Sequence, residues 1–91
     1  GMEARPAFSV PHFAVDANHH TNNVWYIRFA LEYLPEGFRL RRLRVEYAKS
    51  ARYRDQIHPL VRQEDGMFWV ALTDGDGKSF VNLEFSESAA K

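Results

Sequence analysis

A chain of 91 residues with 12 basic and 12 acidic side chains is one small domain by size, and its zero net charge argues against a dedicated polyanion binder. The absence of cysteine removes disulfides, thiolate metal sites and cysteine nucleophiles together, and fits a reducing compartment. Apolar runs too short to span a bilayer, and an N-terminus without the apolar core of a signal peptide, lead to the expectation of a soluble, cytoplasmic protein with no membrane partner. So short a chain buries only about 60 to 65% of its unfolded surface. Its seven Phe, four Tyr and two Trp therefore predict apolar faces that a homodimer or higher homo-oligomer would cover.

In chain order, Gly1 before Met2 reads as an expression scar, and residues 1–7 as an N-terminal extension of a single domain covering 1–91. Phe8 to Val15 contains Pro11, which donates no ladder hydrogen bond, and reads as an edge or irregular first strand. Val24 to Leu34 reads as a helix, because Trp25 and Ile27 to Leu31 recur at helical spacing and Pro35 with Gly37 stops it. Only Arg28 and Glu32 are charged there, which predicts a helix packed into a core. After Gly37 the period is two. Leu43, Val45 and Tyr47 alternate with Arg42, Arg44 and Glu46 on a half-exposed strand, and Gln56 to Gln63 forms another, with Pro59 marking an edge or bulge. "EDG" at Glu64 to Gly66 turns the chain into Met67 to Thr73, and "DGDG" at Asp74 to Gly77 turns it into Lys78 to Phe85. Glu87 to Lys91 reads as a frayed tail. One hydrophobic helix facing an antiparallel sheet of about five strands is an α+β layer architecture, and it suits a helix wrapped by a curved sheet.

The stretch "DANHHTNNVWY", Asp16 to Tyr26, carries the chemistry. If Asp16 to His20 is extended, Asp16, Asn18 and His20 share one side: a carboxylate, an amide and an imidazole in line. Thr21 or Asn22 then caps the helix, whose free N–H groups can hold the oxygen of a polarised carbonyl. The plainer alternative makes Asp16 and Asn22 local turn and cap residues, with solvated histidines beside them.

"DANHHTNNVWYIRFALEYLP" resembles the motif of the plant and bacterial acyl-acyl carrier protein thioesterases, approximately D-x-N-x-H-V-N-N-x-x-Y-I-x-W-x-L-x-x-L-P, with Phe29 where Trp is usual. "LRVEYAKSARYRDQI" is similar to the family's following strand, commonly L-x-V-x-Y-x-K-E-x-x-Y-G-D-x-I. The resemblance is to the C-terminal hotdog of these two-domain enzymes. It implies a hotdog fold and hydrolysis of a fatty acyl thioester of acyl carrier protein or coenzyme A, without metal or cofactor. It implies catalytic roles for Asp16, Asn18 and His20: Asp16 orients or activates, Asn18 holds the carbonyl or the imidazole, and His20 is base or proton donor. Asn22, Asn23 and Tyr26 fall on the substrate-binding part of the motif. A complete chain would find a second hotdog by self-association; in a fragment, the N-terminal half was cut away. The family's acidic residue after Y-x-K is replaced here by Ser50, followed by Ala51, and its Gly before Asp55 by Arg54. Serine is no general base near neutral pH, so a catalytically degenerate module for acyl or partner binding is the alternative function.

Arg41, Arg42 and Arg44 lie in a basic stretch from Arg39 to Arg54 that reads either as a solvated face or as a docking surface for acyl carrier protein or the phosphates of coenzyme A. Nucleic acid is a poor fit, since no exposed aromatics interleave with these cations. His12, His19 and His20 lack metal-ligand spacing, and no G-x-S-x-G elbow gives any serine a nucleophile context.

Overall fold

The computed structural model describes residues 1–87. Four long strands, β3 (Leu40–Tyr47), β4 (Gln56–Glu64), β5 (Met67–Thr73) and β6 (Ser79–Glu87), join two short ones, β1 (Glu3–Ala4) and β2 (Phe8–Ser9), in one antiparallel sheet. β1 and β2 both pair with β4, and β5 and β6 follow, with β3 at the far edge beside β6. One helix, α1 (Asn23–Leu31), packs on this sheet, giving the hotdog arrangement. There are six strands rather than about five, because the supposed extension of residues 1–7 supplies β1. None of the helices among the described residues is long and apolar enough to cross a membrane.

Strand alternation decides the faces. The registers line up Val61, Val70, Leu83 and Val45 in one row, and Phe68, Phe85 and Leu43 in the next. These pack with Tyr26 and Ala30 of α1 into the core. One residue along, Arg62, Trp69, Glu84 and Arg44 form a row on the helix-free face, where the Trp69 indole donates to Glu84 at 3.3 Å.

Pro59 marks a bulge. Ala4 opposes Leu60 but Phe8 opposes Ile57, so Arg5 to Ala7 stand across from only His58 and Pro59. The Arg5 N–H donates to the Pro59 carbonyl at 2.9 Å. The N and O of one strand residue point the same way, so the donor that proline lacks also faces this irregular stretch. That is why a proline is tolerated in a strand paired on both sides.

Three sequence expectations are corrected. Only Phe8–Ser9 of the first predicted strand pairs; after Pro11 the chain coils into a 3-10 turn over His12–Ala14. The helix stops at Leu31 rather than Leu34, its end tightened by i to i−3 bonds from Glu32, Tyr33 and Leu34 ahead of Pro35. β6 continues to Glu87, which opposes Leu40, so the tail cannot begin at Glu87; Ser88 to Lys91 lie outside the described residues. The helix is also less enclosed than its composition predicts. One sheet covers only the Tyr26 and Ala30 stripe, leaving Val24 53% and Leu31 40% exposed.

Candidate functional site

The loop before α1 is not extended. The Asp16 N–H donates to the His20 carbonyl and the His19 N–H to the Asp16 carbonyl, both at 2.9 Å, closing a tight turn with His19 in the left-handed region at φ 63°. Inside it, Asp16 Oδ1 accepts the amide hydrogens of Asn18 at 2.9 Å and His20 at 3.2 Å. The simple alternation of Asp16, Asn18 and His20 is therefore lost, because a short acidic side chain satisfies its own turn more readily than a two-sided strand would. Asp16 and Asn18 stay exposed and His20 is half-buried.

What the loop does next determines the site. Thr21 is buried and sends both its N–H and its hydroxyl to the Ala51 carbonyl, each at 2.8 Å. The Tyr26 hydroxyl accepts the Ala51 N–H at 2.7 Å. Ala51 is thus gripped on both polar groups by the helix and the loop before it. His20 and Arg52 pair as antiparallel neighbours on either side of this grip, and the Tyr53 N–H donates to the His19 carbonyl at 3.0 Å. Such partners project to one face, so the His20 imidazole stands on the Arg52 side of the pairing.

Asn22 caps the helix, its side-chain oxygen accepting the Val24 N–H at 3.0 Å. The Trp25 N–H goes to the Asn22 carbonyl. The Asn23 amide, first in the helix, has no partner among the described residues and points from the positive end of the helix. Tyr26, expected beside the substrate, is 2% exposed and spends its hydroxyl on Ala51.

Arg52 and Ser50 border a groove of about 540 Å³ at the end of the sheet, completed by Lys49, Asp55, His58 and Asp74. Asp16, Asn18 and His20 do not line it; His20 reaches it only by way of Arg52. Lys49 bonds the Asp74 carboxylate and stands 5.0 Å from the Phe80 ring centre. That bond, with the Lys78 and Asp76 amides, holds the Asp74 carboxyl down to about 2. Asp55 accepts the Arg52 N–H at 2.8 Å, and the turn survives without glycine because Arg54 itself takes φ 72°. The sequence marked Lys49 only as one cation of the basic stretch, and did not mark Asp55, His58 or Asp74 as site residues. They come from separate elements, and only the strand parity of His58 hinted at its face.

Arg41, Arg42 and Arg44 are exposed on β3. Arg44 stands opposite Glu84 and Arg42 opposite Ser86, while Arg41 falls at a register shift.

A family model described as acyl-ACP thioesterase C-terminal domain matches residues 2–85. Among solved structures, an acyl-ACP thioesterase from Bacteroides thetaiotaomicron superposes with a TM-score of 0.83 at 17% identity, over 91% of this chain. This chain spans only 36% of that enzyme. The probable thioesterase YbaW from Escherichia coli gives 0.74 at 15% identity, over 92% of this chain and 79% of its own. The hypothetical protein SAV2348 from Staphylococcus aureus, solved in complex with CoA, gives 0.69 at 15% identity, over 98% of this chain and 80% of its own. No curated protein matches the sequence significantly. With its helix on an antiparallel sheet and a family match over nearly its whole length, the chain belongs to the acyl-ACP thioesterase C-terminal domain family.

Proposed function

We propose that this chain hydrolyses fatty acyl thioesters of acyl carrier protein or coenzyme A in the cytoplasm. The observation that best supports the reading is the pairing of His20 with Arg52, which sets an imidazole of the motif loop beside the segment that carries Arg52 and Ser50 to the groove. A thioester has a good leaving group, so proton transfer and polarisation of its carbonyl are sufficient chemistry. In this account Asp16 fixes the loop through the Asn18 and His20 amides, and His20 supplies the proton to the departing thiolate. Asn18 and the free Asn23 amide meet the carbonyl oxygen.

A second copy of the chain would complete the site by adding its β3 to the open β3 edge. Antiparallel self-pairing centred on Val45 sets Arg44 opposite Glu46 twice and Leu43 opposite Tyr47 twice, a register in which charge and apolar surface both match. The exposed arginines of β3 fit the acidic surface of acyl carrier protein, and the CoA bound to SAV2348 favours a coenzyme A thioester as the first substrate to try.

Ser50 favours a second reading, a binding module whose chemistry has eroded. A panel of acyl-CoA and acyl carrier protein thioesters of graded chain length, with oligomeric state measured alongside, separates the two. Hydrolysis of any member supports the enzyme, and binding without hydrolysis supports the module.

A further inference from the structure

A second pocket, of about 220 Å³, lies between β2 and the C-terminal end of α1, at the opposite end of the helix from the motif loop. Three aromatic side chains, Phe8, Phe29 and Tyr33, line it with Pro11, Ser9 and Glu32. Pockets that take drug-sized ligands run from about 300 to 1,000 Å³, so this one takes a small group. Asp16, Asn18, His20 and the residues of the Ser50 groove have no part in it.

Local geometry gathers the rings. Phe29, Glu32 and Tyr33 fall at i, i+3 and i+4, on one flank of the closing turn of the helix. β2 lays Phe8 against that flank, where the Phe8 and Phe29 rings meet edge to face with centroids 5.0 Å apart and planes at 67°. Two rings set across one another make an apolar corner, and the face of an aromatic ring attracts a cation.

The surrounding charges favour a cation as well. The exposed Glu32 carboxylate forms no ion pair among the described residues. Arg28, one turn before it, lies over the Trp25 ring at 5.0 Å, and Arg5 donates to the Glu3 carboxylate and the Ala4 carbonyl. Burial raises the pKa of the Tyr33 hydroxyl, Arg5 lowers it and Glu32 raises it, so the ring remains a neutral phenol. The pocket also adjoins the negative end of the helix dipole. A hydrated metal ion asks for several oxygen ligands and gains little from rings. An alkylated ammonium suits rings better, because its positive charge is spread over methyl groups that pack against them.

We propose that this pocket binds a small quaternary ammonium ion of the choline class, its methyl groups against Phe8, Phe29 and Tyr33 and its charge facing Glu32. Binding here is independent of thioester hydrolysis.

The test titrates choline into the full chain and follows the ring signals of Phe8, Phe29 and Tyr33 by NMR, at an ionic strength held constant with sodium chloride. Neohexanol, which has the same shape with carbon in place of the charged nitrogen, is the neutral control. Choline should shift these signals saturably, and neohexanol should bind about 2- to 30-fold more weakly, the range that cation–π contacts supply. Glu32→Gln, at an exposed position, should weaken choline and leave neohexanol unchanged. The absence of a saturable shift with choline overturns the site. Neohexanol binding as tightly as choline makes the pocket merely apolar and overturns the assignment of a cation, a result that needs no variant. Unchanged choline affinity in Glu32→Gln overturns the pairing with the carboxylate.

Discussion

The Tyr26 hydroxyl accepts the Ala51 amide hydrogen at 2.7 Å, tying the central helix to the segment that carries Ser50 and Arg52. The tyrosine of the motif is thereby a structural clamp: it positions the groove wall from beneath. Tyr26→Phe would leave the Ala51 N–H buried without a partner, at a cost of about 1 to 3 kcal/mol. Urea unfolding of the variant should show a lower midpoint with an unchanged slope; an unchanged midpoint would mean the bond contributes nothing.

His19 sits at φ 63°, a region glycine enters without strain. His19→Gly should stabilise the protein by about 0.5 to 1 kcal/mol, the relief of backbone strain less the added freedom of the unfolded chain. Thermal unfolding gives the sign directly. A lower Tm would show that the imidazole makes a contact outweighing the strain.

The Asp74 carboxyl titrates in the folded protein at about 2 instead of 3.8, chiefly through its bond to Lys49. A depressed folded value means the stabilisation is complete above the unfolded value and is lost as pH falls from about 4 through 2. The difference in unfolding midpoint between wild type and Asp74→Asn should therefore be constant from pH 7 to 5 and shrink below pH 4. A difference that grew in acid would contradict the pairing.

Of the three arginines on β3, Arg44 has Glu84 opposite it and Arg42 has only Ser86. Reversing Arg41 and Arg42 to Glu should weaken binding of acyl carrier protein about tenfold or more in low salt, with the loss fading as salt rises. Equal binding at both salt levels would leave that strand a solvated edge.

Much of the fold was legible because binary pattern and turn chemistry agree. The Leu43–Val45–Tyr47 alternation, the two Asp-Gly turns and the capped apolar helix each name one element, and Pro59 announced its bulge. Of the short strands, β1 was not legible and β2 only as part of a longer predicted strand: each has two residues and exists because β4 offers it an edge. At the site, the motif picked out the loop, and Asn22 is the cap expected of it. The sequence misplaced the geometry, since Asp16 turns inward on its own backbone. It was silent on His58 and Asp74, which meet Ser50 only after the sheet has formed.

Hydrolysis, as proposed, runs through the motif loop. It is tested most directly by thiol release from acyl-CoA for wild type beside His20→Ala and Asp16→Asn, with circular dichroism confirming that all three are folded. The prediction is steady release by the wild type, at least a hundredfold loss in His20→Ala, the usual contribution of a proton-transferring group, and a much smaller loss in Asp16→Asn, whose amide oxygen can still accept the Asn18 and His20 N–H groups. A folded His20→Ala variant that matches the wild-type rate would contradict it.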